Sequence, residues 1–285
     1  MSDRRFVLVT GASRGLGRSL ALNLARCGFS VFAGVRRAAD GDDLLQSASG
    51  ELRPLLLDVT SVEDIAAAEA EVRRVTAGSG LTGLVNNAAI FLLGPFEQTP
   101  VADVETLFRV NVLGLVAVTQ RFLPLLRHVR GRIVNVSSIN GKMSIPFTSF
   151  YSASKFAVEA LSDALRAELL PWGIEVSVVE PGVTRTDIRA RGALGLAECQ
   201  ASLGPAERDL YAATYASLQD LIPQIDQGAA DHEHVLEAVQ HALTAESPHT
   251  RYLVGPDTPH WMEMATLPDR DRDVAFAKMF AGQAR

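Results

Sequence analysis

Thr10-Gly11-Ala12-Ser13-Arg14-Gly15-Leu16-Gly17 is the stretch that decides the fold. It directly follows the apolar run Phe6–Val9, and a helical pattern from Arg18 to Cys27 comes after it. A short apolar run is typical of a buried parallel strand. Glycines permit a tight strand-to-helix turn and a close approach of backbone N–H groups to a pyrophosphate. The spacing is Gly-x-x-x-Gly-x-Gly rather than the commoner Gly-x-Gly-x-x-Gly. We interpret the stretch as a dinucleotide-binding turn; the alternative is a glycine-rich turn without a ligand.

Strand and helix patterns alternate along the rest of the chain. The strand candidates are Phe6–Val9, Ser30–Gly34, Arg53–Leu57, Gly83–Val85, Gly131–Ser137, Ile174–Val179 and Arg251–Val254. The main helical patterns are Val62–Ala77, Ala102–Leu126, Phe150–Pro171 and Val235–Ala245. This alternation predicts an α/β fold, a single Rossmann-type doubly wound domain over residues 1–285 with a seven-stranded parallel sheet and helices on both faces. Gly11, Asn87, Ser138 and Gly182 follow predicted strands, where such sheets bind ligands.

Tyr151-Ser152-Ala153-Ser154-Lys155 predicts a site of proton transfer, because residues four apart share one helix face. A free phenol titrates near pH 10, and a neighbouring cation lowers that pKa. Lowering it to about 7 requires roughly 4 kcal/mol. Ser138 ends the apolar run from Ile133 and can hold the substrate oxygen. Many amphipathic helices carry Tyr-x-x-x-Lys by chance, so the interpretation depends on the glycine-rich turn as well.

Together these motifs resemble the short-chain dehydrogenase/reductase family over roughly residues 5–255. The resemblance implies that Ser138, Tyr151 and Lys155 are catalytic and that Asn111 holds a proton-relay water. The implied cofactor contacts are Gly11, Ser13, Arg14, Gly15, Leu16, Gly17, Asp58, Val59, Asn87, Ala88, Tyr151, Lys155, Pro181, Gly182, Thr184 and Thr186. Ala89 departs from the family pattern, since glycine is usual after Asn-Asn-Ala.

The end of the second predicted strand indicates the cofactor. NAD enzymes usually place Asp or Glu about 20 residues past the glycine loop. Val31-Phe32-Ala33-Gly34-Val35-Arg36-Arg37 has no acid there. Arg36 can clamp a 2′-phosphate bidentately, and Arg14 is a second candidate. We therefore predict NADP(H) rather than NAD(H), the alternative being that Arg36 and Arg37 form a solvated turn.

The resemblance implies hydride transfer to a carbonyl carbon while Tyr151 protonates the oxygen, as in the hydroxysteroid and retinol dehydrogenase branch. Ile90 to Phe96 and Leu123 to Leu126 carry that likeness. We predict reduction of a hydrophobic ketone, steroid-, retinoid- or polyketide-like, or oxidation of the matching alcohol. Phe91, Leu93, Met143 and Phe147 are the predicted pocket residues, with Leu92, Ile145 and Phe150 nearby. The alternatives are an isomerase, dehydratase or epimerase that uses NADP(H) transiently, and a non-catalytic NADP(H)-sensing protein.

Two segments lie outside the alternating pattern. Residues 183–250 are longer than an ordinary connection and are predicted to form a helical substrate lid. The other segment is the tail, residues 256–285. We expect its Trp261, Met262 and Met264 to pack on the body of the protein; the alternative is that the tail reaches the pocket or a neighbouring subunit. Ala102–Leu126 and Phe150–Pro171 carry more apolar residues than one sheet face needs, and the resemblance implies a homodimer or homotetramer.

Composition excludes several classes of protein. The net charge of −6 gives no basic footprint for nucleic acid. Cys27 and Cys199 form no pair motif, which favours a reduced, cytoplasmic setting. The first strand candidate begins at Phe6, so we expect no signal peptide, and Val110–Leu126 is too polar to span a membrane. Asp231-His232-Glu233-His234 lacks a third ligand at helix spacing, so we predict no metal site and expect Asp231 to cap a helix.

Overall fold

The computed structural model describes residues 4–185, 195–201 and 203–280. Its described part contains one seven-stranded parallel sheet in the order β3-β2-β1-β4-β5-β6-β7. The strands are β1 Phe6–Val9, β2 Ser30–Val35, β3 Leu52–Leu56, β4 Gly83–Asn86, β5 Arg132–Val136, β6 Glu175–Pro181 and β7 Arg251–Val254. The predicted fold class is confirmed, and the strand boundaries differ from the predicted ones by at most two residues.

Helices cover both faces of the sheet. Their bounds are α1 Gly15–Arg26, α2 Ala38–Ser47, α3 Val62–Thr76, α4 Val101–Phe108, α5 Leu115–Val129, α6 Ser149–Leu169, α7 195–201, α8 Pro205–Gln227, α9 Glu233–Thr244, α10 Thr258–Thr266 and α11 Asp269–Phe280. None of the described helices is long and apolar enough to cross a membrane.

The two faces of β1 show how the sheet divides the core. Val7 and Val9 point into a cluster under α1 and α9. Phe6 and Leu8 point into the cluster on the other face, under α3 and α5. All four side chains are buried, because successive residues of a strand face opposite sides and both sides are covered.

The predicted helix Ala102–Leu126 is wrong in its middle. A π-helical segment, Arg109–Gly114, separates α4 from α5. A Cβ on Gly114 would lie 2.7 Å from Cγ2 of Val59, so the backbone packs closely there. Such π segments are frequent at functional sites, because they redirect side chains.

The predicted lid, residues 183–250, is also too broad. Helix α9 is not part of a lid, since Val235 and Val239 are fully buried against the sheet. It is the crossover helix before β7. The N-cap residue of α9 is His232, whose side chain makes no capping hydrogen bond. Asp231, the predicted cap, forms an ion pair with Arg185 at 3.7 Å instead.

The sheet order reverses between β1 and β4, which opens a crevice at their carboxyl ends. Thr10 joins the two loops there, because its hydroxyl accepts hydrogen bonds from the backbone N–H groups of Asn87 and Ala88, both at 3.0 Å. A Cβ on Gly17 would lie 2.2 Å from the Gly11 carbonyl oxygen. The glycine-rich turn is therefore packed directly against the turn after β4.

We predict that Gly17→Ala destabilises the protein. The added methyl overlaps a backbone oxygen, and overpacking of this kind costs about 1–3 kcal/mol or more. Urea unfolding of the purified protein measures the change. Gly195→Ala is the matched control, because its added Cβ meets no described atom within 4 Å. Equal unfolding free energies for wild type and Gly17→Ala would contradict this packing.

Candidate active site

A cavity of about 520 Å³ lies at the carboxyl ends of the central strands. The sequence-predicted residues that line it are Gly11, Ser13, Arg14, Gly15, Leu16, Gly17, Arg36, Asp58, Val59, Asn87, Ala88, Phe91, Leu93, Ser138, Tyr151, Lys155, Pro181, Gly182 and Thr184. Asn111, Met143 and Phe147 lie outside the lining, and Thr186 lies outside the described residues. One site therefore collects most of the predicted residues.

Lys155 is a buried cation at the floor of this cavity. Its side chain extends from α6, the residue is 3% exposed, and Nζ donates a hydrogen bond to the Val136 carbonyl oxygen at 2.9 Å. Nζ lies 5.7 Å from the centre of the Tyr151 ring. Burial lowers the pKa of Lys155 to about 8, while the Glu159 carboxylate opposes that shift.

Tyr151 stands one helical turn before Lys155 and is 9% exposed. Its ring meets the Phe91 ring edge to face, with 4.8 Å between the ring centres. Phe91 comes from the loop after β4, so an apolar ring beside the cavity supports the phenol. The helix spacing of Tyr151 and Lys155 predicted this shared face correctly.

Ser138 follows β5 and is held by Asn140, a lining residue that the sequence analysis missed. The Ser138 hydroxyl accepts from the Asn140 backbone N–H at 3.2 Å. The Asn140 side-chain amide donates to the hydroxyls of Thr148 and Ser152, at 2.9 and 3.0 Å. This network fixes the end of β5 against the start of α6, which carries Tyr151.

Asn111 has its side chain fully engaged with protein. Its Oδ1 accepts from the Ile90 N–H at 2.8 Å, and its Nδ2 donates to the Ile90 carbonyl oxygen and the Ser154 hydroxyl. The amide thus ties the loop after β4 to α6 from the π-helical segment. The role as holder of a relay water stays a prediction.

The start of α1 fits an anionic group. Arg14 is the N-cap residue and its side chain makes no capping hydrogen bond. Gly15, Leu16 and Gly17, the first residues of α1, line the cavity. The first N–H groups of a helix lack intrahelical partners and carry partial positive charge. A dinucleotide pyrophosphate suits this position, and the glycines leave room for it.

Arg36 differs from the arginines around it. Arg37 pairs with Asp40 at 2.6 Å, and Arg18 pairs with Asp43 at 3.1 Å. Arg36 lines the cavity and has no ion-pair partner within the described ranges 4–185, 195–201 and 203–280. Both side chains are exposed, and Arg36 differs from Arg37 in that it lines the cavity.

Two pocket predictions need correction. Met143 is 3% exposed and packs against Met264 and Phe276 of the tail. Phe147 packs on Phe280, with 5.2 Å between the ring centres. Neither side chain lines the cavity, because the tail covers both. They support the wall rather than form it.

The wall itself includes residues that the sequence analysis did not single out as pocket residues. Among them are Ile90, Leu218, Ile222, Ile225, Trp261, Met279 and Phe280, and Ile145, which the sequence placed near the pocket, lines it as well. Those on α8 recur at spacings of four and three, which is the signature of one helix face and was detectable in the sequence. The tail therefore reaches the pocket, which was one of the alternatives left open for it.

Residues 5–194 match the short chain dehydrogenase family. Retinol dehydrogenase 5 of Mus musculus is 38% identical over 275 residues, covering 93% of this chain and 85% of that protein. The mitochondrial D-beta-hydroxybutyrate dehydrogenase of Rattus norvegicus is 40% identical over 264 residues, covering 86% and 75%.

Solved structures agree. A short-chain dehydrogenase from Streptomyces avermitilis superposes with a TM-score of 0.78 at 29% identity, with 100% of both chains covered. A short chain dehydrogenase from Burkholderia cenocepacia J2315 in complex with NADP gives a TM-score of 0.70 at 25% identity, with 97% of both chains covered. The glycine-rich turn, the buried Lys155 beside Tyr151 and these relatives lead to one conclusion: the chain belongs to the short-chain dehydrogenase/reductase family of oxidoreductases.

Proposed function

We propose that this protein is an NADP(H)-dependent oxidoreductase that interconverts a hydrophobic ketone and its secondary alcohol. The observation that carries the proposal is the meeting of Tyr151 and the buried Lys155 in one cavity. One end of that cavity has the uncapped start of α1 and Arg36, and the other end is apolar. This division suits a charged dinucleotide on one side and a lipophilic molecule on the other.

A bound nicotinamide cofactor supplies the hydride. In the reducing direction, Tyr151 donates its phenolic proton to the substrate oxygen. The Ser138 hydroxyl donates a hydrogen bond to the same oxygen and stabilises the negative charge that develops there. Lys155 acts through its charge, because an ammonium beside a phenol favours the phenolate.

The surroundings of Lys155 determine its protonation state. With a pKa of about 8, its ammonium form predominates at neutral pH. The Val136 carbonyl oxygen accepts one of its N–H groups at 2.9 Å, which stabilises that form in a buried place. Tyr151 therefore faces a cation at neutral pH, which eases the transfer of its phenolic proton to the substrate oxygen.

The cofactor proposal depends on Arg36. It follows Val35 at the end of β2, where the family's NAD enzymes tend to carry an acid, and lines the cavity without a described ion-pair partner. A guanidinium binds a 2′-phosphate bidentately. A structural relative in complex with NADP supports the same choice.

The substrate proposal depends on the charge of the lining. Arg14, Arg36 and Lys155 are the cations among the described lining residues, and they belong to the cofactor end or to the catalytic floor. The apolar wall from α8, α10 and α11 offers no cation to a carboxylate. A neutral lipophilic substrate, such as the retinol dehydrogenase relatives suggest, therefore suits this cavity better than a small hydroxy acid. A cytoplasmic location and a homodimer or homotetramer remain predictions.

We predict that Tyr151→Phe lowers kcat for ketone reduction at least about 100-fold, because positioned proton transfer contributes 10² to 10⁴-fold. NADPH affinity should stay unchanged, since the ring is retained. Loss of nicotinamide absorbance across a panel of hydrophobic ketones measures turnover. Tyr252→Phe, with its hydroxyl bonded to His241 behind the sheet, is the matched control and should keep wild-type turnover. Near-full turnover of Tyr151→Phe would contradict the mechanism.

We predict that Arg36→Ala lowers kcat/KM for NADPH roughly 10- to 100-fold and leaves that for NADH nearly unchanged, because a hydrogen bond to a charged group contributes about 1.5–3 kcal/mol. Initial rates with both cofactors and one ketone provide the ratio. Arg37→Ala is the control, since Arg37 pairs with Asp40 and does not line the cavity. An unchanged NADPH-to-NADH preference in Arg36→Ala would exclude Arg36 as the phosphate ligand.

A further inference from the structure

Asp257 joins two walls of the cavity through one carboxylate oxygen. Its Oδ2 accepts a hydrogen bond from the Val183 backbone N–H at 2.8 Å. The same atom accepts from the indole Nε1 of Trp261, also at 2.8 Å. Val183 and Trp261 both line the cavity, while Asp257 lies behind them. The residue lies outside residues 5–194, the part that matches the family, so that match assigns it no role.

The two walls come from distant parts of the chain. Val183 follows β6 and lies between Gly182 and Thr184, two of the cofactor contacts that the family resemblance implies. Trp261 belongs to α10, which forms part of the apolar side of the cavity. Asp257 is therefore the described side chain that ties the cofactor side directly to the substrate side by hydrogen bonds.

Gly182 is shaped to receive this carboxylate. A Cβ at Gly182 would lie 2.2 Å from Oδ1 and 2.7 Å from Cγ of Asp257. The turn before Asp257 also requires a glycine, because Gly255 has a φ of +125° and its Cβ would lie 3.0 Å from Oδ1 of Asp257. The Asp257 carboxylate thus occupies the space that side chains at Gly182 and Gly255 would need. A side chain at Gly182 would overlap the carboxylate.

The other carboxylate oxygen of Asp257 indicates that this arrangement lowers the stability of the folded protein. Oδ1 of Asp257 is shielded from solvent and has no hydrogen-bond partner among the described residues. An unsatisfied buried acceptor is destabilising, more so when it is charged. Local violations of this kind are expected where a structure serves function rather than stability.

We propose that Asp257 is a positioning residue that fixes the Gly182–Val183 wall and the Trp261 wall relative to each other. The C-terminal segment thereby sets the geometry in which cofactor and substrate meet. The kinetic consequence rests on the proposed function, whereas the physical coupling of the two walls does not.

A double-mutant cycle of Gly182→Ala and Asp257→Ala tests the coupling. Each single variant should lower kcat for ketone reduction roughly 10- to 100-fold, since a displacement of about 1 Å can cost about 100-fold. The KM for ketone should change less than kcat. The double variant should be no worse than Asp257→Ala alone, because removal of the carboxylate leaves room for the added methyl. Multiplicative losses would overturn the proposal.

Asp257→Asn separates hydrogen-bond geometry from charge. The amide oxygen can still accept both N–H groups, so this variant should keep kcat within a few-fold of wild type while Asp257→Ala does not. If Asn is as damaging as Ala, or if Ala is harmless, Asp257 does not act by holding the two walls. Thermal unfolding of each variant identifies a loss caused by misfolding; if Asp257→Ala misfolds, the kcat of Gly182→Ala decides, and an unchanged kcat would overturn the proposal.

Tryptophan fluorescence gives a measurement that does not depend on turnover. The chain has two tryptophans, so a Trp172→Phe background isolates Trp261. We expect Asp257→Ala to shift the Trp261 emission and to weaken its quenching by NADPH. Asp269→Ala, which removes only an exposed partner of Arg272, is the control. If wild type reduces no ketone, the proposed function fails while this measurement still decides the coupling; unchanged emission and quenching in Asp257→Ala would overturn it.

Discussion

The site depends on one buried ammonium. Lys155 is 3% exposed, and a charge so placed is costly unless polar groups surround it. The Val136 carbonyl oxygen and the Glu159 carboxylate meet part of that need. Because Val136 ends β5 and Lys155 lies on α6, the same hydrogen bond fixes the helix that carries Tyr151 against the strand that leads to Ser138. One hydrogen bond thus stabilises the charge beside Tyr151 and also fixes the position of Tyr151 relative to Ser138.

A ladder of buried polar side chains reinforces this contact. Asn86 on β4 donates to Asn135 on β5 at 2.9 Å, and Asn135 donates to Ser162 on α6 at 2.9 Å. Buried networks of this kind rigidify the elements that they join. Tyr151, Lys155 and Ser138 therefore belong to the part that matches the family, residues 5–194, whereas α8, α10 and α11 beyond it add six apolar residues to the lining of the cavity.

Local patterns predicted the sheet and much of the site because the decisive signals are short. The glycine-rich turn and the four-residue spacing of Tyr151 and Lys155 need no knowledge of distant contacts. The π-helical segment and the burial of α9 against the sheet depend on tertiary packing, so the sequence alone misled there. Met143 and Phe147 failed as pocket residues for the same reason: the tail that covers them is distant in sequence.

Transfer of a labelled hydride from cofactor to ketone shows whether this protein carries out the proposed reduction. The protein would be incubated with NADPH deuterated at C4, on either face, and with the best hydrophobic ketone, and the alcohol analysed by mass spectrometry. Our account predicts one deuterium on the carbinol carbon from one of the two labelled cofactors, because the cofactor supplies the hydride and Tyr151 supplies the proton to oxygen. An alcohol without deuterium from either cofactor would contradict it.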